Sequence, residues 1–99
     1  MADISYIKKY CNISPVVTIY DDKLEEFREQ AIDLLTIAGA STDENNSIVR
    51  AYIAGYCRLN NYAEPSEQWR KAENARLQSL LETIYFGGYH DFYTSNTSS

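Results

Sequence analysis

Few residues of this chain could do chemistry, and their spacing limits what that chemistry could be. His90 is the only histidine, and it stands beside Asp91. A carboxylate can orient an imidazole as a general base, but no motif sets a serine or cysteine nucleophile next to this pair. It also falls in what reads as a C-terminal tail, so the adjacency is taken as chance. Cys11 and Cys57 are the only cysteines. With a single histidine in the chain they do not make a metal-ligand set, and both are expected to be buried, reduced thiols. Glu25-x-x-Arg28 and Glu29-x-x-Ile32 lack the Glu-x-x-His spacing of carboxylate metal bundles. The run Asp43-Glu44-Asn45-Asn46-Ser47 is acidic, but it has neither the central glycine nor the closing glutamate of a calcium loop. Gly87-Gly88 has no phosphate-loop pattern around it. The reading is therefore no enzyme, no cofactor and no metal.

Composition turns attention from catalysis to surfaces. Ninety-nine residues make one domain, of a size at which folding alone is marginal and assembly adds stability. Nine tyrosines help raise the aromatic share to 13%, and tyrosine suits half-buried positions and interfaces. The net charge is −5, which disfavours wrapping nucleic acid through its phosphates. Residues 1–48 carry nine acids against four bases, residues 49–99 five against five. The excess sits at Asp21, Asp22, Glu25, Glu26, Glu29 and Asp33. Such a face is either simply solvated, or meets a basic face on a neighbouring subunit, or lines a path that must not hold DNA. No signal peptide or membrane span is evident, so a cytosolic protein is expected.

The elements read as all-α, a small bundle of about four helices with an extended connector and a flexible tail. Ser41-x-x-Glu44 has the capping-box pattern and opens a central helix over 42–61, around which the others pack. Its apolar stripe is read at Ile48, Tyr52, Tyr56 and Leu59, beside the small residues Ala51, Ala54 and Gly55. Before it, Asp3 caps a short helix over 3–11, with Lys8 and Lys9 near its C-terminal dipole. Pro15 breaks that helix. Val16 to Ile19, lacking a partner strand, is expected to be extended and to pack its side chains on the core. Asp21 or Asp22 caps a helix over 21–39, striped by Leu24, Phe27, Ala31, Leu34, Leu35 and Ala38 and ended by Gly39 in a left-handed cap. Glu64-Pro65-Ser66-Glu67 starts a fourth helix over 65–86, with Trp69, Ala72, Arg76, Leu77, Leu80, Leu81, Ile84 and Tyr85 marking its packed side and Gly87-Gly88 its end. Tyr89, Phe92 and Tyr93 fold back or dock on another chain, and 94–99 is expected to be disordered. A helix-turn-helix reader is disfavoured, because Asp43 and Glu44 stand where DNA phosphates would lie.

The order of ISYIKKYCNIS, YDDKLEEFREQAIDLLTIAG and SIVRAYIAGYCRLNNY resembles the small head–tail connector proteins of tailed bacteriophages, also described as DNA-packaging or head-completion proteins. The resemblance spans roughly residues 3–86. It departs at AEPSEQWRKAENARLQSLLETIYF, where that family has a short marked loop and a brief helix. The resemblance implies a non-enzymatic structural subunit of a homo-oligomeric ring of about twelve copies at the head–tail junction of the virion. Such a ring joins the portal protein to a downstream neck or tail protein and extends the DNA channel, with no sequence-specific DNA binding. Before assembly the subunit would sit in the host cytoplasm. On that reading Asp22, Glu25, Glu26 and Glu29 face the lumen or a neighbour's Arg70, Lys71 and Arg76, with Tyr89, Phe92 and Tyr93 as further interface candidates. The alternative is a small helical adaptor or regulatory module that holds one partner.

Overall fold

The computed structural model describes residues 4–61 and 66–97, with side chains described as far as residue 86. Among the described residues it contains four helices and no strand: α1 (Ser5–Tyr10), α2 (Asp21–Ile37), α3 (Ser47–Asn61) and α4 (Glu67–Thr97). The expected all-α bundle is present. α3 packs against each of the other three and supplies the middle of the core. Val49, Ile53 and Cys57 are at most 1% exposed and, four residues apart, share one side of the helix. Ile7, Leu24, Ala31 and Leu35 close over them from α1 and α2, and Leu77 and Ile84 from α4.

The stripe on α3 is thus rotated from the one read in the sequence. Ile48 is 38% exposed and Tyr56 half-buried, while Tyr52 and Leu59 are buried. Three helices pack on α3, so burial covers most of its circumference rather than one stripe. Helix starts also differ from expectation. Ser41 and Glu44 form no capping box: α3 begins at Ser47, and the Asn46 Oδ1 accepts from the N–H groups of Ile48 (2.8 Å) and Val49 (3.2 Å), the N-cap geometry. Residues 41–46 are a loop in which the Ser41 Oγ accepts from Asp43 N–H and the Asp43 Oδ1 from Asn45 N–H. Neither Asp21 nor Asp22 caps α2, whose N-cap is Tyr20 without a side-chain bond; Asp21 is held instead by Lys8. The N-cap of α1 is Ile4, and Asp3 lies outside the described residues. Ser66 caps α4 by accepting from Trp69 N–H at 3.1 Å.

Two helix ends share one device. At α2, Gly39 adopts φ +75°, as its position after the apolar stripe predicts. Its N–H donates to Thr36 O and that of Ala40 to Leu35 O, a Schellman motif. α1 ends the same way with Asn12 at φ +59° and bonds from Asn12 N–H to Lys9 O and Ile13 N–H to Lys8 O.

Three expectations fail for identifiable reasons. The connector is not extended and does not cover the core. Val17 N–H donates to Ser14 O and Asp21 N–H to Thr18 O, leaving Val16 and Ile19 at least 80% exposed. Pro15 presets the second position of the first turn, and β-branched residues hold a strand only where a ladder exists to pack on. Gly87-Gly88 does not stop α4, which runs through both to Thr97. Glycine inside a helix costs about 1 kcal/mol and ends it only where a left-handed turn follows. Positions 94–97 are accordingly helical backbone; 98 and 99 lie outside the described residues. Finally, the α2 stripe is narrower than read, since Leu34 is 40% exposed and Ala38 exposed.

α4 runs antiparallel to α3, with Leu77 and Arg76 packed closely over Gly55. A Cβ placed there would stand 2.9 Å from Leu77 Cδ2 and 3.2 Å from Arg76 Nη1. Gly55→Ala gains about 1 kcal/mol of helix propensity and loses a comparable amount by displacing Leu77, so its net effect is expected to stay under about 1 kcal/mol. Gly55→Leu has no such balance and is expected to cost about 2–3 kcal/mol by overpacking. Urea denaturation of both variants checks this; equal stabilities would contradict the close approach.

Candidate functional site

Lys8 and Asp21 show how the chain positions its charges. Lys8 sits on α1 with only 6% exposure. Its Nζ donates to Pro15 O at 3.1 Å and pairs with Asp21 Oδ1 at 3.0 Å, tying the connector across the start of α2. A second cluster joins three elements. The Glu44 carboxylate, in the α2–α3 loop, accepts from Arg28 Nε at 2.9 Å and Tyr6 Oη–H at 2.6 Å, and takes a second bond from Arg28 Nη2. Arg50 lies over the Tyr6 ring, 4.8 Å from its centroid. The bonds from Arg28 hold the Glu44 carboxyl below its usual range, against the opposing effect of partial burial. Burial, then the hydrogen bond to Glu44, pushes the Tyr6 hydroxyl well above the usual phenol value.

A third cluster lies where α1, α3 and α4 meet. The Arg58 guanidinium stands 5.9 Å from the Tyr10 ring centroid and 5.4 Å from that of Trp69. Arg76 lies 5.6 Å from the same Tyr10 ring. With Tyr56 Oη–H donating to Gln30 Oε1 at 2.9 Å and Tyr52 buried, most described tyrosines are committed within the chain. Cys57 is fully buried and Cys11 half-buried, both free thiols; burial pushes them up to about 12 and about 11, so both are neutral at pH 7.

The residues singled out in the sequence fall into three groups. Asp22, Glu26 and Glu29 are exposed on α2 and Glu25 half-buried. Arg70 and Lys71 are exposed on α4. None of these six forms an ion pair among the described residues. Arg76 differs from the other bases: it is half-buried over Tyr10 of its own chain. Tyr89, Phe92 and Tyr93 lie on helical backbone, their side chains outside the described residues. α2 and α4 flank a groove of about 290 Å³ floored by Tyr52, Tyr56 and Leu59 of α3, with Leu34 on one wall and Arg70, Asn74 and Gln78 on the other. The sequence reading missed Tyr6, Arg28 and Arg58. Only Glu44 carried a signal, and it pointed to a helix cap instead of a partner 16 residues away.

Among the described residues no group of three or more His, Cys, Asp or Glu is placed to hold a metal ion, and no helix is long and apolar enough to cross a membrane. Comparison with known proteins finds no match to any family model, any curated protein or any solved structure.

Proposed function

We propose that this chain is a structural subunit of a tailed-phage head–tail connector, a homo-oligomeric ring that joins the portal to the tail and extends the DNA channel in the virion. The observation that carries this reading is a set of exposed acids on α2 and of exposed bases on α4, both helices packing on α3. Asp22, Glu26 and Glu29 stand on α2, Arg70 and Lys71 on α4, all exposed and without an ion pair among the described residues. Two different complementary patches on one subunit make a head-to-tail contact, and such contacts close into rings when the rotation allows. The acidic face also suits a channel wall on which DNA slides without sticking.

Light scattering across a concentration series, with and without a portal protein, tests the proposal. A discrete closed oligomer, alone or templated by the portal, is expected. Reversing Asp22, Glu26 and Glu29 to lysine is expected to abolish assembly and its salt dependence while leaving the helical content intact. Unchanged assembly in that variant would remove the charge-pairing argument. The second reading, an adaptor for a single partner, is favoured by Ile37 (82% exposed) and Phe86 (61% exposed). The antiparallel register puts both at the end of the bundle where α3 begins. A monomer that ignores every portal would favour it.

A further inference from the structure

Arg58 is an unusual cation for so acidic a chain. It is half-buried, held between the rings of Tyr10 and Trp69, and has neither an ion pair nor a hydrogen-bond acceptor among the described residues. Arg76, over the same Tyr10 ring, also lacks an ion pair, and its buried Nη1 has no hydrogen-bond partner. The one carboxylate a single turn away on α4, Glu73, has its own buried Oε1 unpartnered and lies beyond ion-pair distance of either guanidinium. Two positive charges are thus gathered on one ring, neither of them ion-paired among the described residues, in a protein whose net charge is −5.

Arg58 opens into a cavity of about 310 Å³ whose other lining residues are Cys11, Asn12 and Asn61. Among the described residues no carboxylate lines it. The carboxamides of Asn12 and Asn61 have no partner among the described residues, and each can present two N–H donors. The guanidinium adds a planar fork suited to two oxygens of one group. The aromatic contacts hold that fork in place before any ligand arrives, which lowers the entropic cost of binding. The neutral Cys11 thiol adds no repulsion at pH 7.

We infer that Arg58, Asn61 and Asn12 form a binding site for an oxyanion, a phosphate or carboxylate group that the Arg58 fork and the two carboxamides grip together. The site does not depend on the connector reading, because it is complete within one chain. Its ligand is either a free anion or a carboxylate presented by a second copy.

The test is 15N NMR of the arginine Nε–H and asparagine side-chain amide signals of the full chain. Sodium phosphate is titrated against chloride at constant ionic strength, and in a parallel arm a peptide of residues 21–33 supplies helix α2's carboxylates. Saturable shifts confined to Arg58, Asn12 and Asn61 are expected in at least one arm. Phosphate alone would identify a free anion as the ligand, and the peptide alone a second copy. Asn61→Asp places a carboxylate at the cavity without disturbing the ring contacts and is expected to weaken binding about tenfold or more. Asn12→Asp, which tolerates the left-handed backbone, serves should Asn61→Asp alter the fold. No saturable shift in either arm, shifts spread equally over Arg50, Arg70 and Lys71, or wild-type affinity in a folded aspartate variant would each overturn the site.

Discussion

Ile53→Ala is expected to lower the free energy of unfolding by about 3–4 kcal/mol, measured by urea denaturation followed through helical circular dichroism. Ile53 is fully buried midway along α3, where helices from three sides meet and none has a free edge from which to collapse into the space. The loss combines the transfer free energy of three carbons with the cavity they leave. Against a total of roughly 5–10 kcal/mol for a domain this small, it would remove a third or more of the stability. Ile48→Ala deletes the same atoms five residues earlier, at a position 38% exposed. It is expected to cost under about 1 kcal/mol, because water already reaches that side chain. Equal costs at the two positions would mean that α3 is rotated from the orientation described.

That pair of isoleucines also marks where the sequence stops being informative. Helical periodicity reveals which segments are helices, and α2 shows it well: Leu24, Ala31 and Leu35 are buried as read and Gly39 turns left-handed. The signal assumes one dry side and one wet side. α3 violates the assumption, with three helices packed on it, so its apolar and small residues occur over most of its circumference. The amphipathic tyrosines then draw the eye to a stripe through Ile48 and Tyr56 rather than to Val49, Ile53 and Cys57. Local signals mislead in a similar way when a distant group competes for the same atoms. Glu44 is spaced correctly for a capping box with Ser41, yet Arg28 and Tyr6 offer its carboxylate charge-assisted bonds that a backbone N–H does not match. Asn46 caps the helix in its place. Asp21 is drawn from the cap position by Lys8 on the same grounds. Of the candidate surfaces, the acids of α2 were legible because an exposed charged face is a matter of composition. The Arg58 cluster was not, since it joins residues from α1, α3 and α4 that are distant in sequence.

Glu44→Gln is expected to destabilise the protein by about 2 kcal/mol at neutral pH and to flatten its stability profile on the acid side. The carboxylate is the single acceptor for three donors from α1 and α2. A carboxamide is nearly the same shape, but it keeps one acceptor oxygen and turns an NH2 group toward the Arg28 fork. It therefore leaves a cation only 18% exposed without a counter-charge. The folded-state carboxyl is held below its unfolded value chiefly by Arg28. Its contribution is consequently complete above about pH 4.3, the unfolded glutamate value, and is lost as pH falls through the lower folded value. The gap between wild type and Glu44→Gln should be widest near neutrality and close progressively below about pH 4. Tyr6 has the opposite sign. Its hydroxyl is raised, so its contribution is complete below about pH 10 and lost as pH climbs through the higher folded value. Tyr6→Phe is accordingly expected to cost about 1 kcal/mol at pH 7 and to leave the acid limb to Glu44. Because Tyr6 and Glu44 share a bond, the double variant should cost less than the sum of the two single ones. Strict additivity, or an acid limb unchanged in Glu44→Gln, would show that the loop between α2 and α3 is held by something other than this carboxylate.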